Sequence, residues 1–392
     1  MKIACVVHRY GSDIAGGSET HCRQIAERLA AHHDVTVLTS CARDYVTWAN
    51  AYPAGHSDLN GVGLLRFPVD RPRDPHRFAE LGARVFAGRS SAEDEEHWFR
   101  ENGPSVPGLL DHLRDHGRTF DVVLFWSYRY YPTYFGLPLV AGRAVLVPTA
   151  EEDPAIDLGV LPGFFAKAAG YLFLTPEEEQ LVSLRAGRSL TLSAVVGVGI
   201  EPAGPPASRS ELSHLGLPPQ FVLYLGRLDR NKGCHELFDH FLASVDKGGE
   251  ATLVLAGPAA MAVPNHPRIR ALGFVDDGTR DALLAEARVL VIPSPYESLS
   301  IVLLEGWNRR VPALVNGRCR PLLGQVRRAN GGLWYRSSRE FAEALSFLLS
   351  HPAEAAALGQ QGQAYVEREY RWPTVMSRLD TVLHGIIRDG KS

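Results

Sequence analysis

The 392 residues predict an α/β protein made of two doubly wound, Rossmann-like halves. Three observations carry that expectation. Short apolar runs alternate along the chain with helical patterns, as parallel strands covered by helices require. One long Gly-, Pro- and Ser-rich stretch, GVGIEPAGPPASRSELSHLGLPPQ, breaks the alternation near the middle. The length suits two domains of ordinary size, each able to bury a core.

In the first half, strands are expected near 2–8, 34–39, 62–67, 121–126, 144–148, 171–174 and 191–196. Gly16-Gly17-Ser18-Glu19 lies between the first strand and a helix, THCRQIAERLAAHH. Residues 42–118 hold many charges and Pro/Gly breaks and read as an elaborated excursion. LPGFFAKAAGYLFL (161–174) reads as a core helix feeding a core strand, with Phe164 and Phe165 able to touch a membrane if exposed. In the second half, strands are expected near 221–226, 251–256, 271–274, 288–293 and 311–315. Pro373 suits the first turn of a terminal helix. The expected division is a first domain over 1–198, a linker over 199–219, a second domain over 220–372 and a terminal helix over 373–392.

Composition narrows the function. The 19 basic and 24 acidic side chains of residues 1–196 give −5, and the 22 and 20 of the rest give +2. That balance argues against nucleic acid as partner and against bulk docking on anionic lipid. Five scattered cysteines without a C-x-x-C pair read as reduced thiols in a cytoplasmic protein. The apolar run in MKIACVVHRY is too short for a signal peptide, and no window approaches the ~20 apolar residues of a membrane span.

The chemistry concentrates in the second half. Glu297 and Glu305 stand in PSPYESLSIVLLEGW, directly after the apolar run ARVLVIPS. Ser298 and Ser300 are good helix N-cap residues, so Glu297 falls on a strand-to-helix turn and Glu305 about two helical turns further on. Between them lie the backbone N–H groups of the helix start, near Leu299 to Val302, which favour a phosphate. Acid, phosphate cradle and acid suit a phosphorylated, hydroxyl-rich ligand; the plainer reading has Glu297 as a solvated turn residue and Glu305 facing water. Arg227 and Lys232, in GRLDRNKG after the strand at 221–225, can converge on a diphosphate, one as a planar fork and the other as a point charge. A surface loop paired with Asp229 is the plainer reading of those two cations. Both patches sit at carboxyl ends of strands, where open α/β sheets bind ligands.

GRLDRNKG, LGFVDD and PSPYESLSIVLLE, with Gly16-Gly17-Ser18-Glu19 near the start, resemble in order and spacing the retaining glycosyltransferases of family 4. The resemblance implies a GT-B fold, two Rossmann-like domains facing across a cleft, with residues 42–118 on the acceptor side. It implies transfer of a hexose-type sugar, with retention, from a UDP- or GDP-sugar to a hydroxyl acceptor. That acceptor would be a cell-envelope glycan or glycolipid intermediate, or a small metabolite. Carried onto this chain, the family roles give Arg227 and Lys232 the diphosphate, Glu297 the donor sugar and Glu305 the ribose hydroxyls. Ser298, Leu299, Ser300 and Ile301 would offer backbone N–H groups, and Gly16 and Gly17 would let the chain approach a phosphate. Val275 would contact the base, and Asp277 would accept from the guanine edge, although Asp276-Asp277-Gly278 also reads as a helix-initiating turn. No obligatory metal or other cofactor is implied.

Two departures from the family pattern stand out. Many relatives have Glu-Gly-Phe-Gly where this chain has Glu297-Ser298-Leu299-Ser300. Relatives often carry a His after the strand at 144–148, where this chain has Thr149, Glu151 and Glu152. Either Glu151, Glu152 or Tyr128 replaces it or the donor lacks the hydroxyl it would meet, and a surface pair is an equal reading of the two glutamates. His8, with Arg9 and Tyr10 at the end of the first strand, is the histidine to watch because that strand end faces the cleft, and a core or rim histidine is the plainer reading of it. A nucleotide-sugar epimerase or sugar phosphorylase of the same fold, and a non-catalytic nucleotide-sugar-binding partner subunit, are the competing functions. A nicotinamide oxidoreductase is disfavoured because Gly11-x4-Gly16-Gly17 is not the Gly-x-Gly-x-x-Gly of dinucleotide sites.

Overall fold

The structure is a computed structural model and describes residues 1–14, 16–190, 192–205 and 209–389. The chain divides into two compact units, Met1–Val196 with Met376–Ser392, and Gly197–Val375. Residues 206–208 of the expected linker and 390–392 of the expected terminal helix lie outside the described residues.

The first unit is built on an eight-stranded sheet: β1 (Lys2–Val6), β2 (Asp34–Ser40), β3 (Gly55–Leu59), β4 (Val62–Phe67), β5 (Val122–Trp126), β6 (Ala144–Val147), β7 (Gly170–Phe173) and β8 (Ser193–Val195). The order is β3-β4-β2-β1-β5-β6-β7-β8, parallel except for the antiparallel edge strand β3. Its central strands are continuous apolar runs because helices cover both faces; every residue of β5, β6 and β7 is buried. The excursion over 42–118 is part of this core. Trp48, Leu81, Val85, Trp98, Phe99 and Leu109 all join the cluster that packs on β1, β5 and β6. β3 lies outside the expected strands because its side chains are largely exposed and show no apolar alternation. Its signal is the turn. Asn60 (φ 54) and Gly61 (φ 78) take the left-handed conformation that a two-residue hairpin needs.

Phe164 and Phe165 are buried, which corrects the membrane alternative for 161–174. No described helix is long and apolar enough to cross a membrane. All five cysteines are buried, and none of them forms a disulfide among the described residues.

The second unit carries a six-stranded, all-parallel sheet: β9 (Val222–Leu225), β10 (Leu253–Ala256), β11 (Ile269–Gly273), β12 (Val289–Ile292), β13 (Ala313–Asn316) and β14 (Gly332–Tyr335). The order β11-β10-β9-β12-β13-β14 means that the chain winds outward from β9 in one direction and then restarts on its other side with β12. The crevice between the ends of β9 and β12 is therefore the topological switch point of this sheet. The helix Trp372–Asp389 begins in this unit and ends in the first. Trp372 packs over Gly199, where a Cβ would meet the indole at 2.2 Å, and further along Val382 and Ile386 pack over Gly170 of the first unit.

Candidate active site

Glycine and asparagine shape the switch point of the second unit. After β9 the chain turns through Arg227–Gly233 into the helix Cys234–Asp246. Gly233 has φ 73, and a Cβ there would lie 2.4 Å from the Pro293 carbonyl oxygen, so only glycine lets this loop meet the end of β12. That carbonyl also accepts a hydrogen bond from the buried Asn316 amide at 3.0 Å, which ties it to the end of β13.

Asp229 organises the cationic loop. Its Oδ1 accepts the Lys232 backbone N–H at 2.8 Å, and its Oδ2 accepts from Arg227 Nε. The Tyr224 hydroxyl donates to the Arg227 carbonyl at 2.8 Å. Lys232 Nζ then reaches across the crevice and donates to Glu297 Oε1 at 2.8 Å. Three of the expected site residues, Arg227, Lys232 and Glu297, thus stand on the two loops flanking the switch point, each cation beside a carboxylate. The plainer expectation of an Arg227–Asp229 pair also holds.

The turn after Glu297 leads into the helix Ile301–Asn308. Ser300 is its N-cap, and its Oγ accepts from the Leu303 N–H at 3.3 Å. The serine that departs from the family pattern therefore has a structural task. Of the N–H groups expected to meet an anion, that of Ser300 lies at the cap, those of Ile301 and Val302 open the first turn, and Ser298 and Leu299 sit buried in the approach. Glu305 lies just over one turn into this helix and is gripped by a residue the sequence did not single out: Arg280 Nη1 donates to Glu305 Oε1 at 2.9 Å, and Nη2 to Oε2. Burial raises the Glu305 pKa above its ordinary value, and Arg280 only partly offsets that.

Val275 and Asp277 flank the entry to the helix Asp277–Glu286. The N-cap there is Asp276, whose side chain accepts from the Thr279 N–H at 2.7 Å. Asp277 is thereby released from the capping role and stays exposed, beside the half-buried Val275.

In the first unit the switch point falls between β1 and β5. His8 sits there, buried, stacked on Tyr130 at 3.8 Å, with Nε2 2.9 Å from Glu19 Oε1. Arg9 donates to the same oxygen from Nε at 3.0 Å. Burial by itself would raise the Glu19 pKa, but His8 and Arg9 hold it well below the usual carboxylate range. Gly16 has an extended backbone, and a Cβ on it would meet Glu19 Oε2 at 2.3 Å; beside Gly17 there is open space. In this structure the absence of a Cβ at Gly16 thus makes room for Glu19. Ser127 (φ 62) and Thr149 (φ 48) close the adjacent strands β5 and β6 in left-handed conformations, with hydroxyls 2.6 Å apart. Such conformations are uncommon for residues with a Cβ, and a β-branched threonine makes Thr149 a true outlier. Of the three substitutes considered for the missing histidine, Tyr128 is fully buried, Glu151 is half-buried and Glu152 is exposed.

Residues 219–351 match the family described as "Glycosyl transferases group 1". Over those residues the chain is similar to a group 1 glycosyltransferase domain. It is 25% identical over 404 residues to a glycogen synthase of Mycobacterium tuberculosis, covering 96% of this chain and 92% of that protein. It is 27% identical over 176 residues to a GDP-mannose-dependent alpha-(1-6)-phosphatidylinositol dimannoside mannosyltransferase of the same species, covering 43% of this chain and 46% of that one. Among solved structures, Anabaena HepE in complex with UDP-glucose superimposes with a TM-score of 0.68 at 16% identity, covering 98% of this chain and all of the other. The fold is GT-B.

Proposed function

We propose that this protein is a glycosyltransferase of family 4 and moves a hexosyl group, with retention of configuration, from a nucleoside diphosphate sugar to a hydroxyl acceptor. The observation that carries the reading is the meeting of Arg227, Lys232 and Glu297 at the switch point of the second unit. A diphosphate placed there competes with Asp229 and Glu297 for the two cations. As Lys232 turns to the phosphate, the Glu297 carboxylate becomes available to the sugar hydroxyls. Arg227 and Lys232 would then stabilise the electron pair left on the phosphate oxygen when its bond to the anomeric carbon breaks. The acceptor oxygen bonds to that carbon on the same face, and its proton passes to the departing phosphate. This arrangement assigns the charge-balancing task to two side chains and a helix start, so transfer is expected to persist in EDTA.

Glu305 would accept from the two ribose hydroxyls. The exposure of Asp277, with Asp276 taking over the cap, favours guanine, whose N1–H and N2–H₂ edge needs an acceptor. The GDP-mannose-dependent relative supports the same choice, whereas HepE was solved with UDP-glucose. A thermal-shift screen of UDP, GDP, ADP and TDP, followed by transfer assays with sugars of the winning base, tests the reading. It expects a nucleoside diphosphate to raise Tm, and NMR of the product to show the donor's anomeric configuration. Tight nucleotide binding without hydrolysis or transfer of any donor would instead identify a partner subunit.

A further inference from the structure

The expected nucleoside site is divided between two helices. Val275 and Asp277 lead into Asp277–Glu286, whereas Glu305 lies on Ile301–Asn308. Two arginines fasten these helices, with opposite polarity. Arg280 grips both oxygens of Glu305. One residue further along the first helix and one turn deeper along the second, Arg309 Nε donates to Asp281 Oδ1 at 2.8 Å and Nη2 to Oδ2 at 2.5 Å. Both are planar fork-to-carboxylate pairs, the geometry that fixes orientation as well as attraction.

The two pairs differ in where they stand. Glu305 is nearer the helix start that points at the strand ends, and its side chain stays about one quarter exposed while that of Arg280 is one third exposed. At that exposure the ion pair adds little to stability, so its geometry is the more informative property. A glutamate has three rotatable bonds and, alone, would sample several orientations. An ionised carboxylate offers about four acceptor sites on its two oxygens. The fork takes one on each oxygen, which leaves one on each for a pair of vicinal hydroxyls.

We propose that Arg280 is a positioning residue for the nucleotide: it fixes the orientation of the Glu305 carboxylate toward the ribose hydroxyls and keeps that carboxylate in register with the base-side loop at Val275–Asp277. The proposal rests on the assignment of Glu305 to the ribose, made above. Arg280 acts through Glu305 rather than on the nucleotide itself. Removing it therefore affects ligands that carry the two hydroxyls and spares those that lack them.

The experiment is calorimetric binding of GDP and UDP, each against its 2′,3′-dideoxy counterpart, to wild type and to Arg280→Ala, Arg280→Lys, Glu305→Gln and Asp281→Asn. Two hydrogen bonds to a charged acceptor lead us to expect that wild type prefers the ribonucleotide by roughly ten- to a hundredfold. In Arg280→Ala that preference falls by about tenfold while dideoxy affinity stays within about twofold of wild type. Arg280→Lys, which keeps the charge and loses the fork, lies between. Asp281→Asn loosens the other fork on the same helices and keeps the preference. The proposal is overturned if Arg280→Ala weakens both ligand types equally, because the arginine then touches the nucleotide directly. It is also overturned if Asp281→Asn erodes the preference as much, because the role is then general fastening. If Glu305→Gln loses the preference and Arg280→Ala keeps it, the ribose assignment stands and Arg280 alone is wrong. If wild type shows no preference at all, the ribose assignment itself fails.

Discussion

Lys232 and Glu297 are 65 positions apart in sequence and 2.8 Å apart at the switch point, so neither can be altered without changing the surroundings of the other. Lys232→Ala should lower kcat by about 10²- to 10³-fold, the usual loss when a donor to a developing oxyanion is removed. A double-mutant cycle with Glu297→Gln should be strongly non-additive, and additive single losses would refute their coupling. A second residue-scale prediction concerns pH. Burial pushes the Glu178 carboxyl up to about 8, against backbone N–H groups of Leu174 at 2.6 Å and Ala150 at 2.7 Å that lower it. Burial pushes His21 down to about 4, with the Trp126 indole donating to its Nδ1 at 3.3 Å. The signs are opposite. For His21, the unfolded chain binds the extra proton between pH 6.5 and about 4, so stability falls as pH drops through that window. For Glu178, the folded chain holds a proton that the unfolded chain has lost above about 4.5, so stability falls as pH rises toward 8. Between pH 6.5 and 8 only the Glu178 effect remains. Melting temperatures measured across that interval should decline in wild type and run flatter in Glu178→Gln, whatever the offset between the two proteins.

At the scale of elements, the helix Pro352–Glu369 determines where Glu305 can stand. Its Gly359 faces the Arg310 carbonyl, where a Cβ would come to 1.9 Å, and its Gly362 faces the Trp307 indole at 2.3 Å. Gly359→Ala meets backbone rather than a yielding side chain, so it should destabilise the second unit by about 1–3 kcal/mol. It should also push the helix carrying Glu305, weakening nucleotide binding by more than the stability loss explains; calorimetry on the folded fraction reads that difference. Elements were legible where pattern and turn chemistry agree. β5, β6 and β12 are unbroken apolar runs, and Ser300 is a cap by residue type and place. β3 and β14 were not, for two different reasons. β3 is a polar edge marked only by Asn60-Gly61. β14, GLWY, is four residues long and opens on the second of two glycines whose task is close packing: a Cβ on Gly332 would lie 2.1 Å from the Ala313 carbonyl.

At the scale of the whole molecule, the chain's last helix belongs to its first unit. Val382, Leu383 and Ile386 are buried, and Val382 and Ile386 pack over Gly170 of β7. Ending the chain after Val375 should therefore destabilise the first unit and leave the second able to bind nucleotide. Limited proteolysis would show cleavage concentrated in 1–196, with binding to the remaining fragment close to that of the intact protein. Loss of nucleotide binding on truncation would contradict this division of labour.

The sequence by itself determined the class of fold, the strand-end loops that carry Arg227, Lys232 and Glu297, and the resemblance that the family match supports. These are local properties: apolar period, cap and turn chemistry, and the spacing of charged residues after a strand. Only the tertiary structure decided which charges meet. Arg280 finds Glu305 across two helices, Asn316 holds the Pro293 carbonyl from a neighbouring strand, and Asp276 takes the cap that leaves Asp277 exposed. Partners of that kind are chosen by through-space packing, and nothing in the one-dimensional order of residues places them within hydrogen-bonding distance.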